Sequence, residues 1–254
     1  MSFKISFEIN TILSKISETS KISETPNKDI PISYFLQDFE NLKKNKEITD
    51  DEISTPENFN INEMTTKEES ISLFYKQGNQ KIFISIFGPR EMKIREKMNG
   101  EHAKLELFTK FSLDPPNKTQ ELINQKIKKF LKYVIMRDSY PKCQITINLN
   151  IFNTSTEIDN FSLIPKICNG LMAALCISGI DLNTLCLARG YYPKNDKSKR
   201  YIIFMEQNNN NIFDIETEEP ISIENYNQII NESKESLNNL YNKLIEKIYK
   251  KLNY

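Results

Sequence analysis

The 254-residue sequence contains no tryptophan, one histidine, six glycines and four cysteines. Each scarcity removes a class of chemistry. His102 is the only histidine, so no Ser–His or Cys–His system with a second imidazole can be assembled, and no zinc-binding spacing occurs. Placed beside Glu101 at the start of a strand, His102 reads as a structural residue. Few glycines also means no phosphate-binding P-loop and no dinucleotide fingerprint. The cysteines, Cys143, Cys168, Cys176 and Cys186, have no metal-ligand spacing, and each lies in an apolar segment, the pattern of reduced core thiols in an intracellular protein. The longest apolar run, around Leu171 to Ile180, is too short to span a bilayer and follows Lys166. The opening MSFKISFEIN lacks the apolar stretch of a secretory signal. These absences predict a protein without metal, cofactor or membrane.

Charge is balanced overall, with 34 basic and 34 acidic residues, so nothing global marks a nucleic-acid binder. Its distribution is uneven. Residues 1–70 carry eight lysines against fourteen acids, a net of −6. Residues 76–97 carry four lysines and two arginines against two acids, a net of +4, and residues 117–142 carry six lysines and one arginine against two acids, a net of +5. Such runs are ordinarily solvated faces, and an RNA-facing strip is the alternative. The acidic triplet Asp50, Asp51 and Glu52 reads as a solvated loop. The asparagine and lysine bias, with its run at Asn208 to Asn211, is what an AT-rich genome produces.

Residues 1–64 are polar and acidic, with SKISET at Ser14 to Thr19 repeated at Ser20 to Thr25, and too little apolar content for a core of their own. They form an N-terminal extension, either a mobile arm or an ordered segment draped on another surface, and residues 65–254 form the domain. Regular structure is expected from about Ser70, where Ile71, Leu73 and Tyr75 line one face of a strand. Gly78-Asn79 then turns the chain into a second strand, Lys81 to Phe87, in which Ile82, Ile84 and Ile86 oppose Phe83 and Ser85. Gly88-Pro89 should stop that strand. A third strand follows at about Ala103 to Phe111.

Pro115 and Pro116, with Asn117 or Thr119 as cap, open a helix striped by Leu122, Ile123, Ile127, Phe130, Leu131, Val134 and Ile135, with lysines on the other face, broken at Tyr140-Pro141. The strand QITINLNI alternates Ile145, Ile147, Leu149 and Ile151 with polar residues. A helix at Phe161 to Ser178 is apolar nearly all round, hence buried, with Gly179 as its stop. Strands at about Thr184 to Arg189, Arg200 to Glu206 and Ile212 to Ile215 precede a long helix, Ile223 to Leu252, striped by Tyr226, Ile230, Leu237, Tyr241, Leu244, Ile248 and Leu252. The order ββ(β)αβαββα is that of an α+β sandwich.

Three words in this order resemble the ribonuclease PH family: GNQKIFISIFGPRE from Gly78 to Glu91, SYPKCQITINL from Ser139 to Leu149, and NGLMAALCISGID from Asn169 to Asp181. The resemblance covers about residues 70–254. It implies the ribonuclease PH-like fold (ribosomal protein S5 domain 2-like), a mixed sheet packed with helices and a long C-terminal helix. Within the family, the compact stretch GPREMKIREKMNGEHAKLELFTK is similar to the bacterial-enzyme-like ring subunits of the eukaryotic RNA exosome, most of all to the ribosomal RNA-processing protein 46 subfamily, with the ribosomal RNA-processing protein 41 and messenger-RNA transport protein 3 subfamilies as the runners-up. The resemblance implies a six-membered hetero-oligomeric ring with other exosome subunits, cap subunits and an associated nuclease, RNA passing through its channel, and residence in nucleus, nucleolus and cytoplasm. It directs Arg90, Lys93, Arg95 and Lys97, after the Gly-Pro turn, towards RNA.

The family's chemistry needs an anion cradle, an Asp-Gly-Gly-(Thr or Ser)-Arg word opening the second helix. The corresponding Asp159-Asn160-Phe161-Ser162-Leu163 keeps the aspartate, replaces both glycines and puts Leu163 where the arginine would be. The family's paired acids precede and enter a later strand; here GYYPKNDKSKRYIIF, Gly190 to Phe204, offers only Asp196. The resulting expectation is a non-catalytic ring subunit with no catalytic residue. An active phosphorolytic exoribonuclease of the same fold and an unrelated α+β interaction module are the alternatives.

Overall fold

The computed structural model describes residues 59–67, 70–77, 80–92, 101–153, 158–193, 200–207, 211–217, 220–221 and 223–252. Strands β1 (Phe59–Lys67), β2 (Ser70–Gln77), β3 (Gln80–Glu91), β4 (Lys104–Phe111) and β5 (Cys143–Phe152) form a five-stranded sheet in the order β1-β2-β3-β5-β4. All its pairings are antiparallel except β4 with β5. Strands β6 (Cys186–Tyr191), β7 (Tyr201–Glu206) and β8 (Ile212–Thr217) form an antiparallel three-stranded sheet. The helices are α1 (Asn117–Val134), α2 (Asn160–Ser178) and α3 (Ile223–Leu252).

Alternation decides the large sheet. Leu73, Tyr75, Ile82, Ile84, Ile86, Ile145, Ile147, Leu149 and Ile151 are buried on its core face. Their cross-strand register is set by pairs such as Ile82 with Ile151 and Ile84 with Leu149. Helix α2 packs on β2 and β3 and also on β6 and β7, which explains why it is apolar on every side. Among the described residues it is the one helix long and apolar enough to cross a membrane, and here it is the core helix. Strand β7 buries Tyr201 through Met205 without alternation, and both α2 and α3 pack on it.

The structure corrects several sequence expectations. The sheet starts earlier than Ser70: β1 pairs with β2 through the register Phe59 with Gln77 to Lys67 with Ser70, so the boundary drawn at residue 64 falls inside a strand. Its polar composition hid it. Gly88-Pro89 does not stop β3. The strand continues to Glu91 through a bulge, with pairing lost after Phe87 and resumed at Arg90 with Gln144. Proline cannot donate to the ladder, and a bulge lets the chain step past it. Gly88 has φ +101, and a Cβ there would lie 2.6 Å from the Gln144 carbonyl oxygen. Gly78 and Asn79, the expected hairpin turn, lie outside the described residues, although Gln77 and Gln80 pair across them.

The N-cap of α1 is Pro116, without a side-chain bond, rather than Asn117 or Thr119. The helix ends at Val134, before Tyr140-Pro141, and a 3-10 turn at Arg137–Ser139 follows. Leu122, assigned to its core stripe, is exposed, and two of its five lysines are not merely solvated: Lys126 meets Glu216 at 2.6 Å and Lys129 meets Asp214 at 2.5 Å, both acids being on β8. In α3 the buried line is Ile229, Ser233, Leu237, Leu240, Leu244 and Ile248, and Tyr226 is exposed. All four cysteines are free; Cys168 and Cys186 are buried, while Cys143 and Cys176 are half-buried.

The three recognition words turn out to tie the fold together. The bulge of the first lies against β5 at Gln144, and the Met92 N–H beyond it donates to the Lys142 carbonyl at 2.9 Å in the second word. The Asp181 N–H of the third donates to the Tyr140 hydroxyl of the second at 2.9 Å. Buried Asn169 donates to the Ala188 carbonyl and accepts from the Ala188 N–H, both at 2.8 Å, so its amide completes the free side of β6. At Gly170 a Cβ would come within 3.0 Å of Ile84 and Tyr75, which sets how closely α2 rests on the sheet.

Candidate functional site

The place where an anion cradle would lie is the start of α2. A helix N-terminus offers unpaired N–H donors and a partial positive charge, and therefore attracts anions. In this chain the donors are engaged internally. The Asp159 carboxylate accepts from the Phe161 N–H at 3.2 Å, and the Asp159 carbonyl accepts from the N–H groups of Ser162 at 3.2 Å and Leu163 at 2.9 Å. The helix thus carries its own anion at the position an external one would take.

Asp159 is held from two further sides. The Tyr192 hydroxyl, just beyond β6, donates to its second carboxylate oxygen at 2.7 Å, and the Arg200 guanidinium, just before β7, lies 3.5 Å from the first. Burial and the Asp159 carboxylate together push the Tyr192 phenol well above its ordinary range, so it stays a donor. Lys166, one turn into α2, has its ammonium lowered by burial, an effect partly offset by the charge of Asp159. Next to Tyr192, Tyr191 donates to Glu232 of α3 at 2.6 Å, and burial and that carboxylate push its phenol up to about 12.

One of the two substituted glycines, at Phe161, and the lost arginine are also accounted for. Gly190 packs its backbone directly on α2, where a Cβ would lie 2.5 Å from the Phe161 carbonyl oxygen. The Phe161 side chain is half-buried and packs against the core. Leu163, at the arginine position, is 1% exposed, so its side chain serves the core and cannot present a donor to a ligand.

Of the four basic residues expected to face RNA, Arg90 is exposed on the β3 bulge; Lys93, Arg95 and Lys97 lie outside the described residues, as does Asp196. His102 sits at the surface with its Nδ1 2.5 Å from Asp138, a pairing its neighbour Glu101 did not suggest. Among the described residues no cluster of three or more histidine, cysteine, aspartate and glutamate side chains is arranged to hold a metal. Sequence reasoning missed Tyr192 and Lys166 at the helix start. The doubled tyrosine after Gly190 was the available signal.

Residues 57–181 match the model of the 3' exoribonuclease family, domain 1. No curated protein matches the sequence. Among solved structures, rice (Oryza sativa) Rrp46 superposes with a TM-score of 0.61 at 18% identity, covering 76% of this chain and 96% of that one. A chain titled "Archaeal exosome core" superposes with a TM-score of 0.55 at 9% identity, covering 93% of this chain and 98% of that one. The chain has a ribonuclease PH-like α+β fold similar to that of Rrp46.

Proposed function

We propose that this chain is a non-catalytic ring subunit of an RNA exosome, a scaffold that helps enclose the RNA channel while a separate nuclease does the cutting. The ring reading is supported by the fold shared with rice Rrp46 and with a chain of the archaeal exosome core, together with the domain match over residues 57–181. The non-catalytic part is carried by one observation: Leu163 is buried where the family supplies an arginine.

Phosphorolysis requires inorganic phosphate to be held as an anion beside the scissile bond. Here an incoming phosphate would find no guanidinium at position 163. Losing such charge-assisted hydrogen bonds costs about 1.5–3 kcal/mol each. In this reading the partners are the neighbouring ring subunits, cap subunits and an associated nuclease, working in nucleus, nucleolus and cytoplasm. Arg90, with Lys93, Arg95 and Lys97, contacts RNA entering the channel. The residues that precede β1 are proposed as an N-terminal extension to the domain.

The test is a reconstituted ring whose associated nuclease carries an inactivating substitution, supplied with RNA and inorganic phosphate. No nucleoside diphosphate should be released. Release that disappears in Asp159→Ala would make Asp159 a working catalytic residue and overturn the scaffold reading. Failure of the chain to co-assemble with ring subunits would overturn the ring reading itself.

A further inference from the structure

Helix α1 spends its charge unusually. Its buried stripe, Ile123, Ile127, Phe130, Leu131 and Val134, faces the core, and its opposite ridge carries Lys118, Gln125, Lys128, Lys129 and Lys132, with Glu121 as the one acid of the helix. Two of its lysines are committed within the fold. Lys126 pairs with Glu216, and Lys129 pairs with Asp214 while lying over the Phe213 ring. Lys118, Lys128 and Lys132 are exposed and have no partner among the described residues.

A merely solvated helix face gains stability by spacing acids and bases three or four residues apart, whereas Lys128 and Lys132 form a like-charge pair at that spacing, which costs a few tenths of a kcal/mol. Lys118 sits in the first turn, which has neither an acid nor a side-chain cap, at the end of the helix where a cation is least favoured. The helix dipole accounts for Lys132 near the C-terminus. It does not account for Lys118, whose one opposite charge on the ridge is Glu121, three residues on. An external polyanion laid along the ridge would relieve both costs.

We propose that this ridge, through Lys118, Lys128 and Lys132, is a docking track for the phosphate backbone of single-stranded RNA. The proposal rests on the ring-subunit reading for its choice of RNA over an acidic protein segment. The three lysines span fourteen residues of helix, about 21 Å at ~1.5 Å per residue. Lysine presents a compact charge on a flexible stem, without the planar fork that reads a base edge. The ridge carries no aromatic side chain on which a base could stack, since Tyr133 beside it is already stacked on Phe213 with ring centroids 3.5 Å apart. Contact is therefore to the backbone and independent of sequence.

The experiment titrates labelled single-stranded RNA of two unrelated sequences into the reconstituted complex, with the wild-type chain and with Lys118→Gln/Lys128→Gln/Lys132→Gln, over a series of salt concentrations. Each lost phosphate contact flattens the plot of log affinity against log salt by about 0.7, so the triple variant should lose about 2 from the slope for both sequences. The single variant Lys128→Gln should lose roughly a third of that. An unchanged slope overturns the proposal. So does a loss confined to one RNA sequence, or a triple variant that keeps its RNA affinity but loses binding to a polyglutamate probe, which would assign the ridge to an acidic protein. If the wild-type chain fails to assemble, the ring reading fails, and the same titration on the isolated chain still decides whether the ridge binds RNA.

Discussion

Gly190→Ala tests the contact that shapes the candidate site. The added Cβ would lie 2.5 Å from the Phe161 carbonyl oxygen, whereas ordinary contact begins at 3.4 Å, so a gap of 0.9 Å (3.4 − 2.5) must open between β6 and the start of α2. The obstacle is backbone at both ends. Gly190 pairs with Ile202 in the sheet, and Phe161 lies in the first turn of a buried helix, so no flexible side chain can move aside. Overpacking of this kind costs about 1–3 kcal/mol. The shift would also carry Tyr192 away from Asp159, adding about 0.5–1.5 kcal/mol for a lost hydrogen bond. A loss of about 3 kcal/mol corresponds to a fall in Tm of roughly 6–12 °C for a domain of this size. Gly170→Ala is the internal control. Its Cβ would approach side-chain atoms of Ile84 and Tyr75 at 3.0 Å, which can yield slightly, and alanine in a helix returns about 1 kcal/mol of propensity. Thermal and urea melts followed by circular dichroism should therefore rank Gly190→Ala far below Gly170→Ala. If Gly190→Ala melts within a degree of wild type, or if Gly170→Ala is the worse of the two, the tight approach of β6 to α2 is not what fixes this region.

Asp159→Ala should cost about 1–2 kcal/mol, mostly through loss of the α2 cap, since the exposed Arg200 pair contributes little. Hydrogen exchange would then speed up at Phe161, and unchanged protection there would show that Asp159 does not hold the helix start. Stability should decline above about pH 9, first through the thiols of Cys168, Cys176 and Cys186, which burial raises from 9.0, and above pH 10 through the tyrosines as well. Tyr191 is raised from 10.0 to about 12, so its contribution is complete below the unfolded value and is lost as pH climbs towards the folded one, and Tyr192 and Tyr75 shift in the same direction. The urea midpoint measured from pH 8 to 11.5 should fall less steeply in Tyr191→Phe, and equal slopes would refute the role given to this phenol.

Much of the fold was legible because the apolar periods are clean. Ile145, Ile147, Leu149 and Ile151 could be placed on one face of a strand from spacing alone, and α3 could be bounded at Ile223 and Leu252. Errors fell where a local rule met a tertiary one. Gly88-Pro89 carries the signature of a strand end, but β5 continues alongside and pairing resumes at Arg90. Strand β1 was missed because FNINEMTTK has a polar sequence, and its place in the sheet comes from its pairing with β2. Tyr226 and Leu122 fit helical spacing yet stay exposed, because spacing gives a stripe and not the width of the surface that covers it.

The candidate site was legible in a different way. Loss of the family's arginine and glycines could be read from Asp159 to Leu163 by comparing letters, but the sequence says only what is missing. What fills the place depends on residues 30 to 40 positions away in the chain: Tyr192 and Arg200 converge on Asp159 only because β6 and β7 pair antiparallel beside the start of α2. The same topology gives the recognition words a structural duty. Gly88, Tyr140 and Asn169 each hold one element against another, so changing any of them would leave a clash or an unpaired group. The residues at the start of α2 carry no comparable structural duty towards a ligand. A leucine at 163 gains core burial, and an aspartate at 159 that already caps the helix keeps its value whether or not phosphate ever binds.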